Sequence, residues 1–296
     1  MVLETSRAVV ARAWREADDV RAFELVARSG ATLPTFGAGS HIDLHLAPHL
    51  VRQYSLCNGP EDRNHYLIGV KREPQSRGGS SFMFEQVRVG DELQVGAPRN
   101  NFPLDLAVSH SILLAGGIGV TPLLSMARHL AAASCGFQLE YFTRSPEHAA
   151  FRDLLAGPDL SSRVTIHEGL DLRHVDARLR QVLSRHRADG KVYLCGPLPF
   201  MDMARGVAAA LVGRPARSSW NISRPARPRC QKTTRMRRSR SSSRAPAWSM
   251  SFPAGRASSR PWPNRASRSP CPVSKVYAAP VLSGFFRASR ITATCI

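Results

Sequence analysis

Acidic side chains are missing from the C-terminal part of this 296-residue sequence: between Arg214 and Ile296 there is no Asp or Glu, against 18 Lys and Arg. The net charge of +19 belongs to that segment, because the residues before it hold 23 basic and 22 acidic side chains. Paired cysteines are lacking as well. The six cysteines (Cys57, Cys135, Cys195, Cys230, Cys271 and Cys295) include no Cys-x-x-Cys, so neither a disulfide framework nor a metal site is expected. No run of about 18 apolar residues occurs, and no membrane span is expected. Met1 to Arg7 carries charges early and has no apolar signal core. Together these absences point to a soluble cytoplasmic protein. Its length suffices for two or three domains, each with its own core.

What is present centres on Leu113-Leu114-Ala115-Gly116-Gly117-Ile118-Gly119-Val120-Thr121-Pro122. The apolar run Ser111 to Ala115 predicts a buried strand, and Leu123 to Ala132 carries a helical pattern. Glycines between them let backbone turn sharply and approach a ligand closely. Pro122 suits a first helical turn, where an N–H would lack a partner anyway. The unpaired N–H groups at such a helix start attract phosphate. A plain strand-to-helix turn has the same residues, so the surrounding motifs must decide.

Up to Leu104 the pattern predicts short strands: Ala8 to Trp14, Ala22 to Ala27, His41 to Leu46, Arg52 to Cys57, Tyr66 to Lys71 and Leu93 to Val95. Strands at this spacing predict a barrel or sandwich over residues 1–104. One helix is expected from Ser80 or Ser81 to Val87, and Pro98 to Leu104 reads as a linker. From about residue 108 to Gly213 apolar strands alternate with helices. The strands are Ile112 to Ala115, Phe137 to Phe142, Val164 to His167 and Val192 to Cys195. Helices are expected from Thr121, near His148 to Leu155, near Val175 to Leu183, and from Leu198 to Leu211. This alternation predicts a parallel sheet covered by helices, with ligands at the carboxyl ends of its strands. The glycine turn and Cys195-Gly196-Pro197 both fall at such ends.

Two further motifs suit a nucleotide. In Arg52-Gln53-Tyr54-Ser55, strand alternation puts a cation and an aromatic ring on one face and the Ser55 hydroxyl on the other unless the strand bends; the three could hold a phosphate, a ring system and a ring edge. Arg77-Gly78-Gly79-Ser80-Ser81 precedes a short helix and could cradle one phosphate. A surface strand and a capped loop are their plain alternatives. His41, His45 and His49 recur at spacings of four on a strand and turn, and are read as surface or loop residues rather than metal ligands.

In this order, Arg-x-Tyr-Ser, Gly-Gly-Ser, Gly-Gly-Ile-Gly-x-Thr-Pro and Cys-Gly-Pro resemble the motifs of the ferredoxin-reductase-like flavoproteins. The nearer resemblance is to the phthalate dioxygenase reductase and vanillate demethylase reductase family. Gly69 to Glu73, Pro98 to Phe102 and Tyr141 to Ser145 support it, and it covers Met1 to about Gly213. The resemblance implies an antiparallel flavin barrel followed by a parallel-sheet nicotinamide-nucleotide domain. It places FMN, rather than FAD, on Arg52, Tyr54 and Ser55, beside Val70 and Lys71. The phosphate would sit at Gly78, Gly79, Ser80 and Ser81. NADH or NADPH would meet Gly116, Gly117 and Gly119 ahead of Pro122, and Arg144 would bear on the choice between the two coenzymes. Thr121 would approach the flavin ring. Cys195, with Gly196 and Pro197, would border the nicotinamide where hydride passes. The implied partner is a terminal oxygenase component that acts on an aromatic ring or a methyl ether.

The family also implies a third, plant-type ferredoxin domain, whose 2Fe-2S cluster needs Cys-x4-Cys-x2-Cys and a later Cys. The sequence after Gly213 lacks that spacing. Seven prolines from Pro225 to Pro270 break any regular element, and the composition predicts a disordered basic tail over residues 214–296. The genetic code suggests why. When each codon's third base is read with the next two, Trp220-Asn221 forces Glu, and the surrounding codons permit Leu-Glu-Tyr-Phe. Under the same shift Pro272 to Val281 permits Cys-Glu-Gln-Gly-Val-Cys-Gly-Thr-Cys, and Arg287 to Thr294 permits Gly-Glu-Pro-Asp-His-Arg-Asp. The tail is therefore read as ferredoxin coding sequence translated out of frame from before about Ser219. This reading expects the last strand of the nucleotide domain and all cluster ligands to be lost. Alternatives are a true basic tail that binds nucleic acid by neutralising phosphates, though no base-reading module is recognisable, and a cluster-free flavin reductase.

Overall fold

Period-two alternation builds the first half of the chain. In the computed structural model, which describes residues 5–187, 189–212 and 220–222, six strands form one antiparallel sheet. They are β1 (Thr5–Ala17), β2 (Val20–Ala27), β3 (His41–Ala47), β4 (Leu50–Ser55), β5 (Tyr66–Lys71) and β6 (Glu92–Gly96), in the order β4-β3-β6-β1-β2-β5. Along β3, Ile42, Leu44 and Leu46 turn inward, where they meet Val10, Phe23, Leu25, Tyr54 and Ile68. The two edges of the sheet meet beyond β4: the Cys57 N–H donates to the Leu67 carbonyl at 2.8 Å, and Leu56 bridges Ile68. That contact curls the sheet into the expected barrel. Helix α1 (Gly79–Glu85) lies between β5 and β6.

The second half changes period. Strands β7 (His110–Gly116), β8 (Gly136–Thr143), β9 (Val164–Glu168), β10 (Lys191–Cys195) and β11 (Trp220–Ile222) form a parallel sheet in the order β11-β10-β7-β8-β9. Strand β7 is central and buried from Ser111 to Gly116, as a strand covered on both faces must be. Helix α2 (Val120–Ala132) covers one face, while α4 (Leu172–Leu183) and α5 (Leu198–Val212) pack together on the other. Asp171 starts α4 by accepting the His174 N–H at 2.9 Å, a side-chain cap. The core beneath α2 continues into the barrel through Ala17, Ala22, Cys57, Leu67 and Phe102.

Two expectations need correction. One helix was expected near His148 to Leu155. The chain instead forms a 3-10 turn at Pro146–His148 and a separate four-residue α3 (Arg152–Leu155), because Phe151 between them adopts a left-handed backbone with φ 61°. The out-of-frame reading expected the last strand of the sheet to be lost. Instead Trp220, Asn221 and Ile222 pair in parallel with Val192, Tyr193 and Leu194. Three extended residues are enough for one edge rung. The remaining expectations for residues 214–296 lie outside the described residues.

Candidate functional site

The first two nucleotide motifs come together. Arg52 on β4 donates to the Arg77 carbonyl at 2.7 Å and lies against Gly79, where an added Cβ would fall 2.5 Å from the Arg52 side chain. Gly78, at φ 90°, makes the turn into α1, a conformation that a side chain would oppose. Helix α1 starts at Gly79, slightly before the expected Ser80 or Ser81. Ser80 accepts the Glu73 N–H at 3.1 Å, which ties this turn to the end of β5. Ser81 follows half-buried, and Tyr54 and Ser55 are both buried. On β5, Val70 is buried and Lys71 stands within 3.5 Å of Glu73 and 3.9 Å of Asp19.

His41 is not the surface residue the sequence suggested. It pairs across the ladder with Ser55, which puts both side chains on one face, and it is buried. Among the described residues its Nε2 has no hydrogen-bond partner. Burial, and then the nearby Arg99 cation, lower its proton affinity below the usual histidine range, while Asp43 opposes them. His45 is half-buried, and His49 sits exposed in the following turn.

The third and fourth motifs also meet. Gly117 to Gly119 form a 3-10 turn from β7 into α2, with Pro122 in the first turn of that helix. A Cβ on Gly119 would run into the Cys195 carbonyl, and Cβ atoms on Gly116 and Gly196 would reach the Phe200 ring at 2.7 and 2.9 Å. Glycine is thus required where β7 and β10 end side by side. Cys195 is buried, and Pro197 accepts the Met201 N–H at 3.1 Å to start α5. Sequence reasoning passed over Phe200, whose signal was an aromatic three residues after Pro197. It packs on Phe142 at 5.3 Å between ring centroids, and Phe142 packs on His167 at 4.6 Å. His167 contacts the buried Glu140 at 2.5 Å, and Arg178 reaches the same carboxylate at 3.4 Å.

Barrel and parallel sheet touch at Gly69. A Cβ there would come within 2.9 Å of the Phe151 ring and 3.0 Å of the Thr121 methyl. Thr121 is buried and donates its hydroxyl to the Ile118 carbonyl at 3.0 Å. The glycine turn therefore stands beside the β5 residues that lead to Val70 and Lys71. Arg144, just past β8, is not gathered into this cluster: its guanidinium pairs with Asp19 at 3.0 Å and is 70% exposed.

These residues fit a flavin. The absence of a Cβ at Gly79 lets the Arg52 side chain lie across the Gly78–Gly79 turn, where its guanidinium could meet a phosphate, and His41 offers a buried ring nitrogen on the Ser55 face that has no partner among the described residues. An iron–sulfur cluster does not fit, because the sequence has no Cys-x4-Cys-x2-Cys. Among the described residues, no three His, Cys, Asp or Glu side chains are grouped to hold a metal ion, and no helix is long and apolar enough to cross a membrane.

No protein-family model matches the chain. The vanillate O-demethylase oxidoreductase of Pseudomonas putida is 47% identical over 195 residues, which cover 66% of this chain and 61% of that one. The phthalate dioxygenase reductase of Burkholderia cepacia is 42% identical over 192 residues, covering 64% and 59%. The chain thus spans about three fifths of the length of these curated relatives. A solved phthalate dioxygenase reductase, described as a modular structure for electron transfer from pyridine nucleotides to [2Fe-2S], superposes with a TM-score of 0.69. It is 38% identical, and the match covers 74% of this chain and 67% of that one. With 38% identity over two thirds of that solved reductase and a shared barrel and parallel sheet, the chain belongs to the phthalate dioxygenase reductase and vanillate O-demethylase reductase family.

Proposed function

We propose that the chain is an NAD(P)H-dependent flavin oxidoreductase, by descent the reductase component of a two-component aromatic-ring oxygenase or O-demethylase. The contact at Gly69 carries this reading, since it sets the barrel strand of Val70 and Lys71 beside the Thr121 end of the glycine turn. Arg52 and the Gly78–Ser81 turn would hold a single phosphate, which suits FMN better than FAD. Tyr54, Ser55, Val70 and Lys71 would hold the remainder of the cofactor. The backbone of Gly116, Gly117 and Gly119 would meet the coenzyme's phosphates. Thr121 and Cys195, both buried, would flank the reacting rings and would help to exclude water from them. A bound flavin supplies acceptance of a two-electron hydride and release of electrons one at a time. The side chains then act by placing the two rings, and none needs to act as acid or base.

Transfer onward to an oxygenase through a cluster in the same chain is impaired in this reading, because the cluster spacing is missing. A cytoplasmic setting is in keeping with cysteines that follow no pairing pattern. The test is an absorbance spectrum of purified protein loaded with FMN, followed anaerobically with NADH and then NADPH. A flavin band that either coenzyme bleaches supports the reading. A colourless protein that takes up neither FMN nor FAD removes it. Chromatography of the released flavin decides between the two, and stoichiometric iron and labile sulfide would overturn the impaired transfer. Salt-sensitive DNA binding by a flavin-free chain would favour the nucleic-acid alternative instead.

A further inference from the structure

Phe151 is a bulky residue in a conformation that bulky residues avoid, with φ 61° and ψ 28°, and it is completely buried. A backbone of this kind persists only where its surroundings enforce it. The enforcing group comes from the barrel, 135 positions away in sequence: the Phe151 N–H donates to Glu16 Oε1 at 2.7 Å. The other oxygen of that carboxylate accepts Trp14 Nε1 at 2.5 Å, which fixes the Glu16 side chain from its own strand. Two neighbouring contacts hold the same segment. The Ala150 N–H donates to the Tyr141 hydroxyl at 3.1 Å, and the Asp18 N–H donates to the Glu147 carbonyl at 2.9 Å. The result is that the Phe151 ring presses on Gly69 from the same side as the Thr121 methyl.

We infer that Glu16 is a positioning residue: it clamps the Phe151 backbone so that the Phe151 ring and Thr121 together set the spacing between barrel strand β5 and the ligand end of the parallel sheet. This rests on the flavoprotein reading, in which the flavin lies along Val70 and the nicotinamide above the glycine turn. Hydride transfer depends steeply on that spacing, and a misplacement of about 1 Å can cost about 100-fold in rate. Glu16 itself touches neither ring in this assignment. Charge strengthens its two hydrogen bonds, and truncation removes both.

The experiment compares Glu16→Ala and Glu16→Gln with the unaltered full chain. Amide hydrogen exchange of the 149–155 segment is read first, in protein without flavin. It should accelerate at least tenfold in E16A and by a smaller factor in E16Q, which keeps one acceptor oxygen; E16Q serves alone if E16A does not fold. The second reading is anaerobic single-turnover reduction of bound FMN at saturating NADH. It should slow about tenfold or more in E16A, and less in E16Q. The FMN dissociation constant and the half-saturating NADH concentration should stay within about twofold, as expected when a contact acts on geometry rather than on binding. Unchanged exchange shows that Glu16 does not hold the segment and overturns the inference. Faster exchange with an unchanged reduction rate overturns it too. A parent chain that binds no flavin defeats the flavoprotein reading before any variant is compared, and the exchange result then judges the clamp separately.

Discussion

The Phe200 ring rests on the backbone of Gly116, so that a Cβ added there would lie 2.7 Å from the ring. At Gly119 the obstacle is the carbonyl of Cys195, which is backbone at the end of β10 and cannot turn aside. Gly119→Ala should therefore destabilise more than Gly116→Ala, within the about 1–3 kcal/mol typical of overpacking. Phe200→Ala should recover much of the Gly116→Ala loss and none of the Gly119→Ala loss. Urea midpoints of the single and double variants check this, and equal losses at the two glycines would contradict it.

Arg52 is expected to contribute to FMN binding through its charge and its fork of donors. Arg52→Ala should raise the FMN dissociation constant about tenfold or more, as loss of a charge-assisted hydrogen bond does. Arg52→Lys should recover part of this, since it keeps the charge and loses the planar fork. Quenching of flavin fluorescence gives both constants. Undiminished affinity in Arg52→Ala would remove Arg52 from the phosphate site.

Three histidines predict how stability responds to acid. Burial is the main cause of lowered proton affinity at His41, His110 and His186, with Arg99 adding to it at His41 and Arg187 at His110. Below the ordinary value of 6.5 the unfolded chain protonates these rings while the folded chain resists. Stability should therefore fall as pH drops from 6.5 through the lower folded values. The urea midpoint should be lower at pH about 5.5 than at about 7.5, and His41→Gln should reduce that difference. A midpoint independent of pH in the parent chain would contradict the expectation.

Arg144 and Asp19 form an exposed pair at 3.0 Å, of a kind that contributes about 0–1 kcal/mol. Arg144→Ala should leave the urea midpoint nearly unchanged. Asp19→Asn should free the guanidinium at the carboxyl end of β8 and raise turnover with NADPH relative to NADH. That gain should shrink in high salt, as screened attraction does. A coenzyme ratio that responds to neither variant would separate Arg144 from coenzyme choice.

Period alone made most of the framework legible. The strands of both sheets and the glycine turn carry their pattern locally, in Ile42-Asp43-Leu44 or in the run Ser111 to Ala115. Features made by distant partners were not legible. His41 carries no sign of burial until the ladder sets it opposite Ser55. The break at Phe151 depends on Glu16, far away in sequence, and the helical pattern from His148 runs straight across it. Phe200 reads as one more apolar residue of a helix, because nothing local shows that two glycine backbones lie beneath it. The rung at Trp220 to Ile222 is hidden for another reason: an out-of-frame reading of the residues after Gly213 removes the expected strand, yet three extended residues can pair in either frame.

That short rung has a consequence for solubility. Trp220 to Ile222 occupy the side of β10 that faces away from β7. A chain cut before Trp220 would leave the amide and carbonyl groups of Val192 to Leu194 as a vacant hydrogen-bonding rim along an apolar strand. Such rims recruit strands from neighbouring molecules, so trimming the basic segment too closely would trade its charge for self-association.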